Sequence, residues 1–114
     1  MLKIFNAYAH IISSYKINKF EQFGHLYRFK AEIIFIDHSK LYLRETVFDF
    51  EKRKYAYHWQ DADGLLIIRW DNAPDWEVDT FPHHRHIGKE GTIESSFEWT
   101  LEQVLKVIAN KFNK

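Results

Sequence analysis

The fold is decided in residues 26–36, whose sequence is Leu-Tyr-Arg-Phe-Lys-Ala-Glu-Ile-Ile-Phe-Ile. Aromatic and aliphatic side chains occupy every second position from Tyr27 to Phe35, and Arg28, Lys30 and Glu32 stand between them. A period of two with β-branched and aromatic residues is typical of a strand that buries one face. We therefore predict a long strand over residues 26–36, with its apolar face against a core.

Further extended segments follow this strand along the chain. They carry Leu, Ile, Val, Tyr, Phe and Trp, and we place them at residues 41–48, 55–60 and 65–70. The segments between them contain Asp, Ser or Gly, whose side chains or backbone freedom favour tight turns, and lie at residues 37–39, 49–52 and 61–64. Short turns join antiparallel neighbours, so we predict a meander of consecutive strands.

The C-terminal segment changes to a helical period. Apolar residues at 101, 104, 105, 108 and 112 line one face of a helix. Thr100 and Gln103 have the spacing of a capping box, and Trp99 and Val104 that of a hydrophobic staple. We expect this helix to pack on one face of the sheet. The predicted fold is α+β, an antiparallel meander of about five strands with a C-terminal helix.

The two remaining parts of the chain are predicted less directly. Residues 1–20 contain a helical pattern followed by an alternating one, which we interpret as a short helix and then a strand. Residues 87–97 contain Gly88, Gly91 and two serines, and this composition favours a mobile connection.

Composition limits the classes of function. The 114 residues fit one domain, 1–114, and the 16 basic residues balance the 16 acidic ones, so any phosphate recognition must be local. The absence of cysteine excludes disulfides and thiolate catalysis. No apolar run approaches the ~20 residues of a membrane-spanning helix, and we expect a soluble, cytoplasmic protein without a membrane partner.

The polar chemistry is concentrated in residues 69–88. Arg-Trp-Asp-Asn-Ala-Pro occupies residues 69–74, and Phe-Pro-His-His-Arg-His-Ile-Gly occupies residues 81–88. Its prolines and polar groups predict a His-rich loop at an edge or end of the sheet, and loops often carry binding and catalytic residues. Such imidazoles can transfer protons near neutral pH, bind a metal or hold a phosphate.

The order of these motifs resembles the TumE family of prokaryotic toxins from residue 26 onward. The resemblance is carried by Tyr-Ala-Tyr-His-Trp-Gln at residues 55–60, Asp-Asn-Ala-Pro at residues 71–74 and Phe-Pro-His-His-Arg-His at residues 81–86, with shorter motifs at 36–39, 43–45 and 63–65. It implies the toxin half of a toxin–antitoxin pair, neutralised by a helix-turn-helix antitoxin encoded beside it.

An RNA target is expected because toxins of this kind commonly attack RNA and the side chains suit that chemistry. A metal-independent ribonuclease needs a base, an acid and a cation for the phosphorane. The residues that we expect to supply them are His83, His84, His86, Arg85 and Arg69. The residues that we expect to bind substrate are Tyr57, Trp70, Asp71, Asn72 and Arg44. The two aromatic rings could stack on unpaired bases, but packing in the hydrophobic core is the more common role of such side chains.

Several alternatives remain open on sequence grounds. The His-rich segment could anchor a loop or form a partner interface in a non-catalytic binding module. A His-rich metal site is the third interpretation, but its further ligand is unidentified, and we expect no metal and no cofactor. Arg44 and Glu45 face opposite sides of one strand, so one of them needs a partner on the covered side. An exposed edge strand would permit a homodimer.

Overall fold

The computed structural model describes residues 2–48, 53–72, 84–88, 92–95 and 98–112, although for Leu2, His84 and residues 92–95 only the backbone is described. The helices are α1 (Leu2–Ala7) and α2 (Leu101–Phe112). The strands are β1 (Ile12–Phe23), β2 (Leu26–Phe35), β3 (Lys40–Val47), β4 (Arg53–Gln60), β5 (Leu66–Asp71), β6 (His84–Ile87) and β7 (Thr92–Ser95). The α+β class and the C-terminal helix are confirmed.

The strands form one antiparallel sheet of seven strands in the order of the sequence. The predicted number, about five, was too low because β6 and β7 have only four residues each, too few to show an alternating pattern. They correct two predictions. Residues 84–87 belong to a strand paired with β5, where a loop was expected, and residues 92–95 form a strand inside the predicted mobile connection.

The side chains of β2 divide the sheet into two faces. Phe29, Ala31, Ile33 and Phe35 are buried on one side, which we call the covered face. Both helices pack there, since Phe5 of α1 lies 6.5 Å from Phe29 and Phe112 of α2 lies 6.4 Å from Phe35, measured between ring centroids. The opposite side, which carries Lys30 and Glu32, is called the open face. No helix of the described residues packs on it.

Helix α2 is built as its sequence predicts. Its buried residues are Leu101, Val104, Leu105, Ile108 and Ala109. The backbone amide of Thr100 donates to Gln103 Oε1 over 3.0 Å, and that of Gln103 donates to Thr100 Oγ1 over 3.4 Å, which confirms the capping box. The helix is therefore fixed at its first turn and contributes most of its apolar stripe to the covered face.

The turns hold the register of the central strands. At the β2–β3 turn Asp37 accepts hydrogen bonds from Ser39, and His38 takes a positive φ of 69°. At the β4–β5 turn Asp61 accepts from the amides of Asp63 and Leu65, and Gly64 takes a φ of 87°, a conformation that glycine adopts without a steric penalty. Both turns agree with prediction, whereas the turn predicted at 49–52 lies outside the described residues.

Candidate functional site

Antiparallel pairing aligns polar side chains into two neighbouring rows on the open face. The first row crosses β3 to β6 as Tyr42, His58, Arg69 and His86, each directly opposite the next. The second row crosses β2 to β5 as Lys30, Arg44, Ala56 and Asp71. Directly opposed residues share a face of the sheet, so residues that are up to 56 positions apart in the chain, Lys30 and His86, line one surface.

The rows are linked by the carboxylate of Asp71. Asp71 Oδ2 accepts from Arg69 Nε over 3.0 Å and lies 3.6 Å from His86 Nε2. The Asp71 residue is only 4% exposed, whereas Arg69 is partly exposed. A buried carboxylate of this kind orients the groups that it contacts, and it balances positive charge on Arg69 and on a protonated His86.

His58 stands on the other side of Arg69. Burial, and then the positive charge of Arg69, lower the pKa of His58 below its ordinary value of 6.5, while a hydrogen bond with Gln60 opposes this shift. His58 is therefore neutral at neutral pH and able to accept a proton. The first row thus places a guanidinium between two imidazoles, one of which is held beside a carboxylate.

A groove runs over these rows. It consists of two adjoining cavities of about 630 and 390 Å³ that share Lys30, Arg44, Ala56 and Arg69 in their lining. Ala56 is opposite Arg44 on one side and Asp71 on the other, and its methyl group leaves space between their longer side chains. The larger cavity is lined by six basic residues, which are Lys19, Arg28, Lys30, Arg44, Lys54 and Arg69.

The carboxylates near this groove do not neutralise all of these cations. Asp71 is engaged with Arg69 and His86. Glu45 also lines the larger cavity, but its carboxylate contacts Tyr57 and Arg53 on the covered face. The side chains of Arg28, Lys30 and Arg44 have no hydrogen bond or ion pair with any residue that the structure describes. Glu32 lines the smaller cavity and accepts from Asn18 over 3.0 Å, so the excess of cations lies in the larger cavity. That cavity is a local positive region on a chain without net charge.

Two residues assigned to substrate by the sequence lie elsewhere. Tyr57 and Trp70 are 0% and 1% exposed and pack on the covered face, where the Trp70 ring lies 5.2 Å from that of Trp99. This placement contradicts base stacking and agrees with the more common packing role. Both residues occupy covered-face positions of their strands because Tyr57 is opposite Leu43 and Trp70 is opposite Tyr57.

Asn72 and Arg85 belong to neither row, although Asn72 borders the larger cavity. Asn72 Oδ1 accepts from the amide of Tyr55 over 2.9 Å, and its Nδ2 donates to the carbonyl of Arg53 over 2.6 Å, so the amide extends the β4–β5 pairing. Arg85 is opposite Trp70 and therefore belongs to the covered side. The backbone of His84 is opposite Asp71, but its side chain and all of His83 lie outside the described residues.

The covered face has its own polar network at the start of α2. The Tyr57 hydroxyl donates to Glu45, and Arg53 donates to the same hydroxyl over 2.5 Å, to Glu98 over 3.1 Å and to the Trp99 carbonyl over 2.8 Å. Burial, reinforced by the Glu45 carboxylate, raises the pKa of Tyr57. The phenol therefore stays protonated, and the network joins β3, β4 and the segment before α2. Arg53 is thus the partner that Glu45 needs on the covered side.

Among the described residues, no group of three or more His, Cys, Asp or Glu side chains is placed to hold a metal ion. In the same part of the chain, no helix has the length and apolar character needed to cross a membrane.

The sequence-based site missed His58, Ala56 and the basic residues of β2. The alternating pattern of β4 places Ala56 and His58 on the face opposite Tyr55, Tyr57 and Trp59, so this face was recognisable. What could not be recognised is that β5 and β6 bring Arg69 and His86 beside them. That depends on register between strands, which local composition does not set.

Comparison with known proteins identifies the class of protein to which this chain belongs. A family model of a toxin matches residues 1–112, and the chain is therefore the toxin component of a toxin–antitoxin pair, with an antitoxin as its partner. The family is TumE, described as Toxin TumE, and the chain belongs to it. The match includes α1 and β1, so it extends the resemblance to the residues that precede residue 26. No curated protein and no solved structure matches the chain.

Proposed function

We propose that this toxin cleaves RNA on the open face of its sheet, in the cytoplasm, until a helix-turn-helix antitoxin neutralises it. The observation that supports this proposal is the row of His58, Arg69 and His86, with the Asp71 carboxylate beside Arg69 and His86. Cleavage of RNA through its own 2'-hydroxyl needs a base, an acid and a cation, and this row contains all of these groups.

The roles follow from the surroundings of each group. His58, whose pKa is lowered, accepts the proton of the 2'-hydroxyl as its oxygen attacks phosphorus. Arg69 stabilises the charge on the phosphorane, and protonated His86, held by Asp71, gives a proton to the departing 5'-oxygen. The phosphorus–2'-oxygen bond forms and the phosphorus–5'-oxygen bond breaks. The products are a 2',3'-cyclic phosphate and a 5'-hydroxyl.

His83 and His84 stay candidates for proton transfer, since the backbone of His84 lies opposite Asp71 at the end of the second row. Arg85 is left out of the proposed reaction because it belongs to the covered side. No metal or cofactor has a role in these steps. The ribonuclease activity therefore depends on side chains of the chain itself.

The test is induced expression in a host without the antitoxin, followed by assays of the purified protein on RNA. We expect growth arrest and RNA cleavage for the native chain, and loss of both for Arg69→Ala and His86→Ala with the fold intact. Removal of a single acid, base or cation should lower the cleavage rate by roughly 10²–10³-fold. His10→Ala is the matched control, because His10 is an exposed imidazole outside the sheet.

Two further measurements identify the chemistry. RNA with a single 2'-deoxy nucleotide at the cleavage position should resist the native protein, and the products should carry cyclic phosphate ends. Equal toxicity of the native chain and His86→Ala, or cleavage of the 2'-deoxy substrate, would refute the proposed mechanism.

The second candidate function is a non-catalytic binding module, and the long edge strand β1 favours it. Tyr15, Ile17 and Phe20 of this strand are exposed, and no described strand pairs with its outer side. An antiparallel two-fold pairing centred on Phe20 would place Lys19 of one copy opposite Glu21 of the other. We propose that the surface of this binding module is the free edge of β1 and that it binds a second copy of the chain, which makes the protein a homodimer. Sedimentation of the native chain and of Ile17→Lys tests it, with a native dimer and a monomeric variant as the expected result.

A further inference from the structure

We propose that the open-face groove is a binding site for single-stranded RNA, in which Arg28, Lys30 and Arg44 hold backbone phosphates and Tyr42 and Phe48 stack on bases. The inference rests on the proposed function, since it names the substrate class of the same face. It also assigns residues that take no part in the proposed chemistry.

The phosphate contacts are inferred from cations without protein partners. Arg28, Lys30 and Arg44 lie on the adjacent strands β2 and β3, and within the described residues none of their side chains has an ion pair or hydrogen bond. Lys30 and Arg44 are directly opposite each other at one end of the row that reaches Asp71. A chain of phosphates crossing β2 and β3 would therefore arrive at Ala56 and Arg69, where the proposed reaction takes place.

The stacking contacts are inferred from exposed rings at the two ends of the groove. Tyr42 lines the smaller cavity and Phe48 lines the larger one, and they are 36% and 45% exposed. Tyr42 lies beside His58, with ring centroids 6.2 Å apart, and the Lys54 ammonium lies 6.0 Å from the centre of the Phe48 ring. Positive grooves combined with accessible aromatic rings are the usual means of holding single-stranded nucleic acid.

A single strand fits this site better than a duplex. Arg69, Asp71 and the small Ala56 line the larger cavity, which is bordered by longer side chains of neighbouring strands. A duplex is recognised mostly by its shape and by contacts across its shallow minor groove, whereas an unpaired strand can bring its backbone and bases into a groove. We therefore expect duplex RNA of the same composition to compete weakly.

Binding is tested without cleavage by using a labelled single-stranded oligonucleotide of about 12 nucleotides with 2'-O-methyl groups, which lack the attacking hydroxyl. Fluorescence anisotropy should show that Lys30→Glu and Arg44→Glu weaken binding about tenfold or more. Each lost phosphate contact should reduce the slope of log affinity against log salt by about 0.7. Lys106→Glu, on the exposed side of α2, makes the same charge change and should alter affinity less than about twofold.

The aromatic residues are tested in the same assay. Tyr42→Ala and Phe48→Ala should each weaken binding about fivefold or more, and Tyr42→Phe should restore it because the ring is retained. Equal weakening by Lys30→Glu and Lys106→Glu would overturn the groove assignment. So would unchanged RNA affinity of Lys30→Glu together with loss of antitoxin binding, since the groove would then be a protein site. Specific binding without cleavage of ordinary RNA would keep the groove and refute the ribonuclease.

Discussion

The two faces of the sheet use buried charge in different ways. On the covered face, Glu45 and Arg53 contact each other at 3.5 Å, and both also bond to the Tyr57 hydroxyl, under the start of α2. On the open face, Asp71 is more deeply buried than either of them and contacts groups that border a groove. Both clusters contain a carboxylate and an arginine. Among the residues that the structure describes, only the second has neighbouring cations whose side chains lack protein partners.

The difference shows why burial alone does not identify a functional site. A charged group inside the fold is stabilised by its partners, and its removal leaves those partners unsatisfied. Such a network is structural when all its members bind one another. A functional cluster keeps groups that an external ligand can reach, as Arg28, Lys30 and Arg44 do beside Arg69. Substitutions on the two faces should therefore separate stability from activity.

Neighbouring residues on β3 give the largest predicted effect. Glu45→Ala should lower the free energy of unfolding by about 3 kcal/mol, because it leaves Arg53 and the Tyr57 hydroxyl without their carboxylate inside the fold. Arg44→Ala, one position away on the open face, should change it by less than about 0.5 kcal/mol. Urea denaturation of both variants measures the difference.

The same pair should show the reverse order in RNA binding under conditions where both variants are folded. Arg44→Ala should bind RNA more weakly than Glu45→Ala. Equal stability of the two variants would show that the covered network contributes no more than an exposed side chain, and the comparison of the faces would fail.

Asn72 gives the next largest effect, and the same variant tests its assignment to substrate. Asn72→Ala removes the hydrogen bonds to the backbone of Tyr55 and Arg53 and should cost about 1–2 kcal/mol of unfolding free energy. Its affinity for the uncleavable oligonucleotide should stay within about twofold of native, since its amide is committed to β4. Thermal unfolding and anisotropy are the measurements. Native stability with weakened RNA binding would return Asn72 to the substrate site.

How much of this division the sequence predicts depends on the length of each segment. Residues 26–35 alternate between apolar and polar side chains over ten positions, and residues 101–112 follow the helical period over twelve positions. Both segments are long enough for the period to identify the strand and the helix. Strand β6 has four residues, three of them charged or imidazole, and its pairing with β5 is a contact distant in sequence. Local composition therefore predicted a loop, and tertiary pairing made a strand.

The candidate site was predictable in its residue types and not in its arrangement. Arg69, Asp71 and His86 could be selected because their chemistry is visible in the sequence. The choice between Tyr57 and Tyr42 as an accessible ring could not, because it depends on which face α2 covers. Ala56 has no chemistry of its own, and its role appears only once Arg44 and Asp71 are placed on either side.

Ala56 allows the open face to be blocked without removing any charge. Ala56→Val and Ala56→Leu place progressively larger groups between Arg44 and Asp71 and should lower affinity for RNA progressively, by about tenfold for Leu, equivalent to about 1.4 kcal/mol. Unfolding free energy should fall by less than about 1.5 kcal/mol, since the added atoms can extend into the groove. Anisotropy and urea denaturation measure the two quantities. Undiminished binding by the Leu variant would place the RNA elsewhere.

The smallest predicted effect concerns pH and the imidazole of His58. Its pKa in the folded chain lies below the ordinary value of 6.5, so the unfolded chain binds more protons at this position as pH falls through 6.5. The free energy of unfolding then decreases as pH falls from 6.5 to the folded pKa. The stability that neutral His58 provides is fully present above pH 6.5. His58→Gln should therefore lose less stability than the native chain between about pH 7.5 and about pH 5.5.

The causes of the shift predict the behaviour of a second variant. Burial is the larger cause and Arg69 the smaller, so Arg69→Ala should reduce the pH dependence only in part, and Arg69→Ala with His58→Gln should add little to His58→Gln alone. Melting temperatures at both pH values test this order, with His10→Gln as an exposed imidazole for comparison. A pH dependence unchanged by His58→Gln would mean that this imidazole titrates as it does in the unfolded chain. Burial and the Arg69 charge would then not hold His58 in its neutral form below pH 6.5.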